Sequence, residues 1–188
     1  MSEAYQIERK EELIGGKIVS MSPEGTNHNR ISGNILGLFL NYLQGKTGES
    51  FGSGELVCLT EEDEFFPDFM LVCDPDKIKD DRIYGAPDLV AEVLSPSTAK
   101  IDRWYKKDVY ARSGVREYWI ISPEDKIIEV YRSNGKGEFV LHDSYTVYPD
   151  WMLKRMTEEE REAVATHFKC CLYDDFDICI EDIFYRVP

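Results

Sequence analysis

Hydrophobic positions along this chain repeat with two periods, and the places where one gives way to the other mark the expected elements. Residues 12–21, ELIGGKIVSM, read as two short strands around a Gly-Gly turn. After the loop SPEGTNHNR, the residues Ile31, Ile35, Leu38, Phe39 and Tyr42 recur at three- and four-residue steps. That spacing predicts one face of a helix from about His28 to Leu43, ended by Gly45 and Gly48. Residues 54–60 and 66–73 look like a hairpin joined by EEDEF, an acidic turn whose charges a solvated loop accounts for. The segment 87–94, PDLVAEVL, is short, almost wholly apolar and bounded by Gly-Ala-Pro and Ser-Pro-Ser. It has the pattern of a central strand covered on both faces.

A helix follows to about Ser113, with Ser97 or Thr98 as its cap and Gly114 at the left-handed C-terminal position. VREYWII, KIIEVYR and EFVLHDS then predict an antiparallel meander, separated by the turn sequences SPED and SNGKG. TEEEREAVATHF carries a capping box, Thr157 with Glu160, and the tail FDICIEDIF suggests an edge strand and a last turn. Together these elements predict one α/β domain over residues 1–188, with a mixed central β-sheet flanked by helices and extended by an antiparallel meander.

Charge and composition narrow the function. The formal charge is −14, whereas a protein that neutralises phosphates normally shows a surplus of Lys and Arg. A local patch remains, because Lys100, Arg103, Lys106, Lys107, Arg112 and Arg116 fall within 17 residues; a solvated helix face explains it equally well. Five cysteines without a C-x-x-C pair point to neither a disulfide framework nor a zinc site, and predict reduced, mostly buried thiols. No stretch approaches the roughly 20 apolar residues of a membrane span, and the charged N-terminus argues against a secretory signal, so a cytoplasmic protein is expected. The aromatics Trp151, Phe184 and Tyr185 near the end of the chain suggest a homodimer.

Glu92 is the most informative residue. A carboxylate within the run Leu89–Leu94 loses hydration worth several kcal/mol unless something compensates: a basic partner, a retained proton, or a bound cation. Asp68 follows Pro67 at the start of another strand, and adjacent strands about 4.8 Å apart can bring two carboxylates onto one ion. Magnesium accepts such a pair together with waters and phosphate oxygens. Asp102, Lys106 and Tyr110 recur every four residues on the helix that leaves the Glu92 strand. They form either an exposed ion pair or a group that places an ammonium near an attacked phosphate. His28 opens the first helix as a possible ligand contact, and Asp88 lies on the same side of the strand as Glu92 but roughly 13 Å away.

The order PDFMLV, then GAPDLVAEVLSPSTAKIDRWYKKDVYARSGVREYWIISPEDKIIEVYR, resembles the Uma-type family of proposed restriction endonucleases, part of the PD-(D/E)xK nuclease superfamily. The resemblance runs from GGKIVSMSP to the DDFDICIEDIF tail. It implies a restriction-endonuclease-like core, Asp68 and Glu92 as acids that bind magnesium or manganese, Lys106 as the catalytic lysine, and a nucleic-acid substrate, DNA before RNA. A non-catalytic binding or scaffold protein that keeps the fold is the alternative. A strict E-x-K motif would put lysine at position 94, where this chain has Leu94. The lysine must therefore come from the following helix, as Lys106 or Lys107. With Ile101, Tyr105 and Val109 taken as the buried stripe, Lys106 lies along its edge and Lys107 turns toward solvent. The first helix lacks the acid that many superfamily members carry there and offers His28 and Asn34; Glu12 and Glu24 are alternative acids that were not preferred.

Overall fold

The computed structural model describes residues 10–188. Most of the charged N-terminal segment weighed above as a signal, residues 1–9, lies outside them. The first hairpin is β1 (Glu11–Ile14) and β2 (Lys17–Ser20), turned by Gly15 and Gly16, both at positive φ. Helix α1 (Thr26–Tyr42) follows, then β3 (Glu49–Gly52), β4 (Val57–Cys58), β5 (Glu64–Phe65), β6 (Phe69–Val72), β7 (Ile83–Tyr84) and β8 (Leu89–Val93). A wide π-type turn, Ile101–Lys106, runs directly into α2 (Lys107–Ser113). The meander is β9 (Glu117–Ser122), β10 (Ile127–Ser133) and β11 (Phe139–Thr146). Short helices α3 (Asp150–Leu153) and α4 (Glu158–Glu162), the strands β12 (His167–Phe168) and β13 (Ile178–Cys179), and α5 (Ile180–Ile183) complete the chain.

The main sheet has six strands in the order β11-β10-β9-β8-β6-β3, and only β8 and β9 run parallel within it. This is the expected mixed sheet with β8 inside it. A second sheet, β2-β1-β5-β4-β7, lies apart from it. The hairpin expected from residues 54–60 and 66–73 does not form. β4 pairs with β5 in the small sheet, while β6 pairs with β3 and β8 in the large one. The Pro67-Asp68 step is where the chain passes from one sheet to the other. The small sheet holds its hairpin through the pair Leu13↔Glu64 and through Asp63, whose carboxylate accepts from Gly15 N and Tyr105 OH. Asp63 is buried, so the acidic turn is not wholly solvated as expected.

The strand period divides the core in two. Phe69, Leu71, Leu89, Ala91 and Val93 face α1, where Ile31, Ile35 and Phe39 pack with Trp119 and the tail residues Phe176, Ile183 and Phe184. Phe39 lies against Phe69 with ring centroids 4.7 Å apart. Each such buried side chain contributes about 1.5–3 kcal/mol. Phe184 is thus core, and not the exposed interface aromatic expected of it. Met70, Val72 and Val90 face the other way, onto Val57, Phe65, Val109 and Tyr110. Of the five free cysteines, only Cys170 is buried and the rest are half-buried.

Ser95 supplies the capping oxygen of the helix after β8, accepting from Thr98 N at 3.3 Å, in place of Ser97 or Thr98. The capping box at Thr157 and Glu160 forms. Gly114 ends α2 at φ 101°, as its position suggests. That conformation and the open surroundings of Gly33 in the middle of α1 predict opposite effects of one change. Gly114→Ala should destabilise the protein by about 1–2 kcal/mol, and Gly33→Ala should stabilise it by about 0.5–1 kcal/mol. Urea denaturation of both variants measures this; equal signs would refute the assignment of the two backbone conformations.

Candidate functional site

The antiparallel register of β6 and β8 pairs Phe69 with Ala91, and one step further places Asp68 beside Glu92. Both side chains point to the face opposite α1's core, by the alternation that sends Met70 and Val90 there. Asp68 Oδ2 accepts from Val93 N at 2.7 Å, and Oδ1 lies 2.7 Å from His28 Nε2. His28 comes from the first turn of α1. Ser32, one turn on, donates to the Asp68 carbonyl at 2.6 Å and fixes the helix to the strand. Glu24, just before α1, brings its carboxylate to 3.7 Å from the same imidazole nitrogen. Ligand atoms of Glu24, His28 and Asp68 all lie within 4.8 Å of one another.

Glu92 takes hydrogen bonds from Tyr110 OH at 2.8 Å and Lys106 Nζ at 3.2 Å. Both end on Oε1, and Oε2 takes none among the described residues. The Lys106 ammonium also reaches Glu12 Oε1 at 2.8 Å, stands 3.8 Å from Asp102 Oδ1, and lies over the Phe65 ring. Asp102, Lys106 and Tyr110 thus share one buried face. The expected stripe Ile101, Tyr105, Val109 is only partly the buried one: Val109 is buried, but Tyr105 is 37% exposed while Lys106 is 2% exposed. Asp102 and Lys106, four residues apart on the π-type turn, both face inward. Lys107 points elsewhere, with its ammonium 3.5 Å from the centre of the Tyr131 ring.

These groups line one cavity of about 200 Å³, whose mouth is edged by Lys10, Ser22, Ser95, Ser97 and Thr98. Asp88 is not part of it. At the far end of β8 it accepts from Cys73 N and faces Arg116. Asn34 is also elsewhere, pinning the tail through the carbonyls of Ile183 and Tyr185. The basic residues of the 100–116 segment do not assemble into a patch: Arg103 pairs with Glu129, Arg112 with Asp108, and Lys106 is internal. Among the described residues, no basic cleft leads to the site, whose lining holds the lysines Lys10 and Lys106. Two residues not preferred from the sequence, Glu12 and Glu24, are in it. The strand period carried a signal for Glu12, which shares the inward side of β1 with Ile14; Glu24 stands four residues before His28.

Among the described residues, five carboxylates, Glu12, Glu24, Asp68, Glu92 and Asp102, meet two ammonium groups in this cavity, those of Lys10 and Lys106. Burial and the imbalance together displace the ionisable groups. Burial pushes Glu92 well above the usual carboxylate range, with Lys106 opposing and Asp102, Asp68 and Glu12 reinforcing. Asp102 is raised to about 6, by burial set partly back by Lys106. For Lys106, burial acts downward, but Glu92, Glu12 and Asp102 outweigh it and raise its pKa. His28 is also raised, because the hydrogen bond and charge of Asp68 outweigh its burial. Among the described residues, three of the four buried side-chain polar atoms without a partner, Glu12 Oε2, His28 Nδ1 and Asp102 Oδ1, belong to this site. Buried polar atoms are seldom left unpaired, so the arrangement is one that a cation would complete. An imidazole and hard carboxylate oxygens form a donor set that magnesium or manganese accepts.

A mixed sheet with an acid-lined pocket at the junction of β6, β8 and α1 is the architecture of a nuclease-like protein. A family model described as "Putative restriction endonuclease" (Uma2) matches residues 2–154, and the chain belongs to that family. It is 32% identical over 134 residues to the uncharacterized protein slr1290 of Synechocystis sp., covering 70% of each chain. To sll1609 of the same organism it is 30% identical over 140 residues, 72% of this chain and 79% of that one. A crystal structure from Anabaena variabilis, described as "a putative nuclease belonging to DUF820", superposes with a TM-score of 0.70. At 18% identity over 96% of this chain and 93% of that one, it shows the shared fold.

The raised groups set the pH dependence of the metal-free protein. A folded-state pKa above the unfolded one means that the native state holds the extra proton, so stability is lost as pH climbs through the folded value. For Asp102 the loss runs from about pH 4 to about pH 6; for His28 it begins above the ordinary histidine value of 6.5. In a chelator, thermal melts should therefore give a higher Tm near pH 5 than near pH 8, and Asp102→Asn should flatten the lower part of the slope. A Tm that rises over this interval would contradict the placement of these groups.

Proposed function

We propose that the chain is a metal-dependent nuclease that hydrolyses phosphodiester bonds in nucleic acid, with DNA as the first substrate to test. The supporting observation is the convergence of Glu24, His28 and Asp68 beside Glu92 in a cavity with three more carboxylates than ammonium groups. Asp68 and Glu92 are the central ligands in this proposal, and His28 and Glu24 complete the set for magnesium or manganese. When bound, the ion supplies Lewis-acid polarisation of a phosphoryl oxygen and a more acidic water. Asp68 is held for its part by Val93 N, and Glu92 by Tyr110 and Lys106, so the carboxylates are oriented before any ligand arrives. Lys106 places a permanent positive charge on the cavity wall, where negative charge grows on a phosphoryl group under attack. Asp102 sets the Lys106 side chain from one helical turn away.

The rival, a binding protein that keeps the fold without turnover, is favoured by one observation. Among the described residues, the site has no basic approach in a chain of net charge −14. Cleavage assays separate the two. Single- and double-stranded DNA and RNA are incubated with magnesium or manganese, with Glu92→Gln as control. The nuclease is expected to cut in a metal-dependent way that Glu92→Gln abolishes. Asp68→Asn and Glu92→Gln should each weaken manganese binding in calorimetric titration while leaving the fold intact. Lys106→Met should lower turnover about 100-fold or more with metal affinity retained, and Lys107→Met should change little. Metal binding that is unaffected by both carboxylate variants would show the site to be misplaced. Metal binding without cleavage of any substrate would favour the rival.

Self-association belongs to the same proposal, because Trp151 and Tyr185 are 56% and 59% exposed near the end of the chain. Light scattering at micromolar concentration should show twice the monomer mass. A monomer that persists on concentration removes the dimer from the scheme.

A further inference from the structure

Glu12 belongs to the small sheet, yet its carboxylate is buried in the site built on the large one, with 1% of its surface exposed. A single oxygen, Oε1, accepts from two donors at 2.8 Å each: the ammonium of Lys106, 94 positions away, and the backbone N–H of Phe66. Phe66 stands immediately before Pro67-Asp68. Glu12 therefore ties the ammonium to the start of the strand that carries Asp68. Of the three carboxylates around Lys106 it is the nearest, against 3.2 Å for Glu92 and 3.8 Å for Asp102.

These three contacts differ in what a metal would do to them. Glu92 is the partner that the proposed function assigns to the ion, and a carboxylate drawn toward a divalent cation has less charge to offer an ammonium. Asp102 is beyond hydrogen-bond distance. Glu12 is held by a backbone donor, so only its contact can persist unchanged. An ammonium with 2% exposure that lost its ion pairing would pay the full cost of burial and would swing out of the site.

We infer that Glu12 is a positioning residue: it holds the Lys106 ammonium in the site when Glu92 engages the metal. The inference rests on the metal-site proposal and adds to it a residue from outside the large sheet. A structural tether alone would keep the hairpin docked with or without metal. A positioning residue has a metal-dependent effect on Lys106.

Acylation of lysine amines, followed peptide by peptide in a mass spectrometer, reads that effect directly. In the parent, Lys106 should stay unlabelled with and without saturating manganese chloride. In Glu12→Gln, which still accepts from Phe66 N, Lys106 should stay protected without metal, through Glu92 and Asp102. It should become labelled when manganese is added, about tenfold or more faster than in the parent, as the amine leaves its buried position. Asp102→Asn should not reproduce this. Glu12→Asp, which keeps the charge but withdraws it by one methylene, should show the same metal-dependent labelling in weaker form, and it serves if Glu12→Gln does not fold. Equal labelling of parent and Glu12 variants in manganese, or an effect confined to Asp102→Asn, overturns the inference while leaving the metal site standing. A parent that binds no manganese in calorimetry removes the metal site, and the inference with it.

Discussion

The site is organised around one buried ammonium. Lys106 is enclosed by Glu12, Glu92 and Asp102, and among the described residues no other cation pairs with these three acids. A single charge must serve three acids, so two negative charges remain to be met by protons or by a ligand. Added to burial, the leading cause, the imbalance displaces Glu92 and Asp102 upward, and it leaves oxygens of Glu12 and Asp102 unpartnered. The local backbone serves the same pairing: Asp102 and Lys106, four residues apart on the π-type turn, both face inward. Removing the lysine would leave three buried carboxylates facing one another, whereas a surface ion pair of the same composition would scarcely matter.

Much of this was legible in the chain. Alternation placed Glu92 in a covered strand, three- and four-residue spacing placed Ile31, Ile35 and Phe39 on the inner side of α1, and Gly114 marked the end of α2. The meander and the Gly-Gly hairpin were equally plain, because each has a local signal of its own. The errors fall where a non-local choice overrode a local one. β5 and β6 are separated only by Phe66, Pro67 and Asp68, and no pattern within 54–73 tells that a break between sheets lies there. The buried side of the helix was misplaced by about one residue because counting apolar positions favours Ile101 and Tyr105, while Asp102 and Lys106 go inside only through partners distant in the chain. Glu12 and Glu24 look like ordinary surface acids until two sheets and a helix bring them to Lys106 and His28.

The acidity of the chain and its membership of a nuclease family need not conflict. A polyanion approaching this pocket meets carboxylates, with the serine and threonine hydroxyls of the Ser95–Thr98 loop and Lys10 at the edge. Attraction of a phosphate would then depend on cations held by those same carboxylates, and binding should be set by divalent-ion concentration more than by the protein's own charge. Such a protein gains little from long-range steering and is restrained from coating nucleic acid nonspecifically.

The hairpin β1–β2 has a place in this arrangement out of proportion to its size. It joins the rest of the small sheet through one strand pair and a few turn contacts, and of its described residues only Ile14 packs against the cores on either side of the large sheet. Opening of that one element is thus a sub-global event, costing less than unfolding the whole molecule. Yet it withdraws Glu12 and admits water to Lys106. Heat should consequently silence the pocket before it melts the scaffold, and amide exchange in residues 11–20 should report the integrity of the site better than any probe of the sheet behind it.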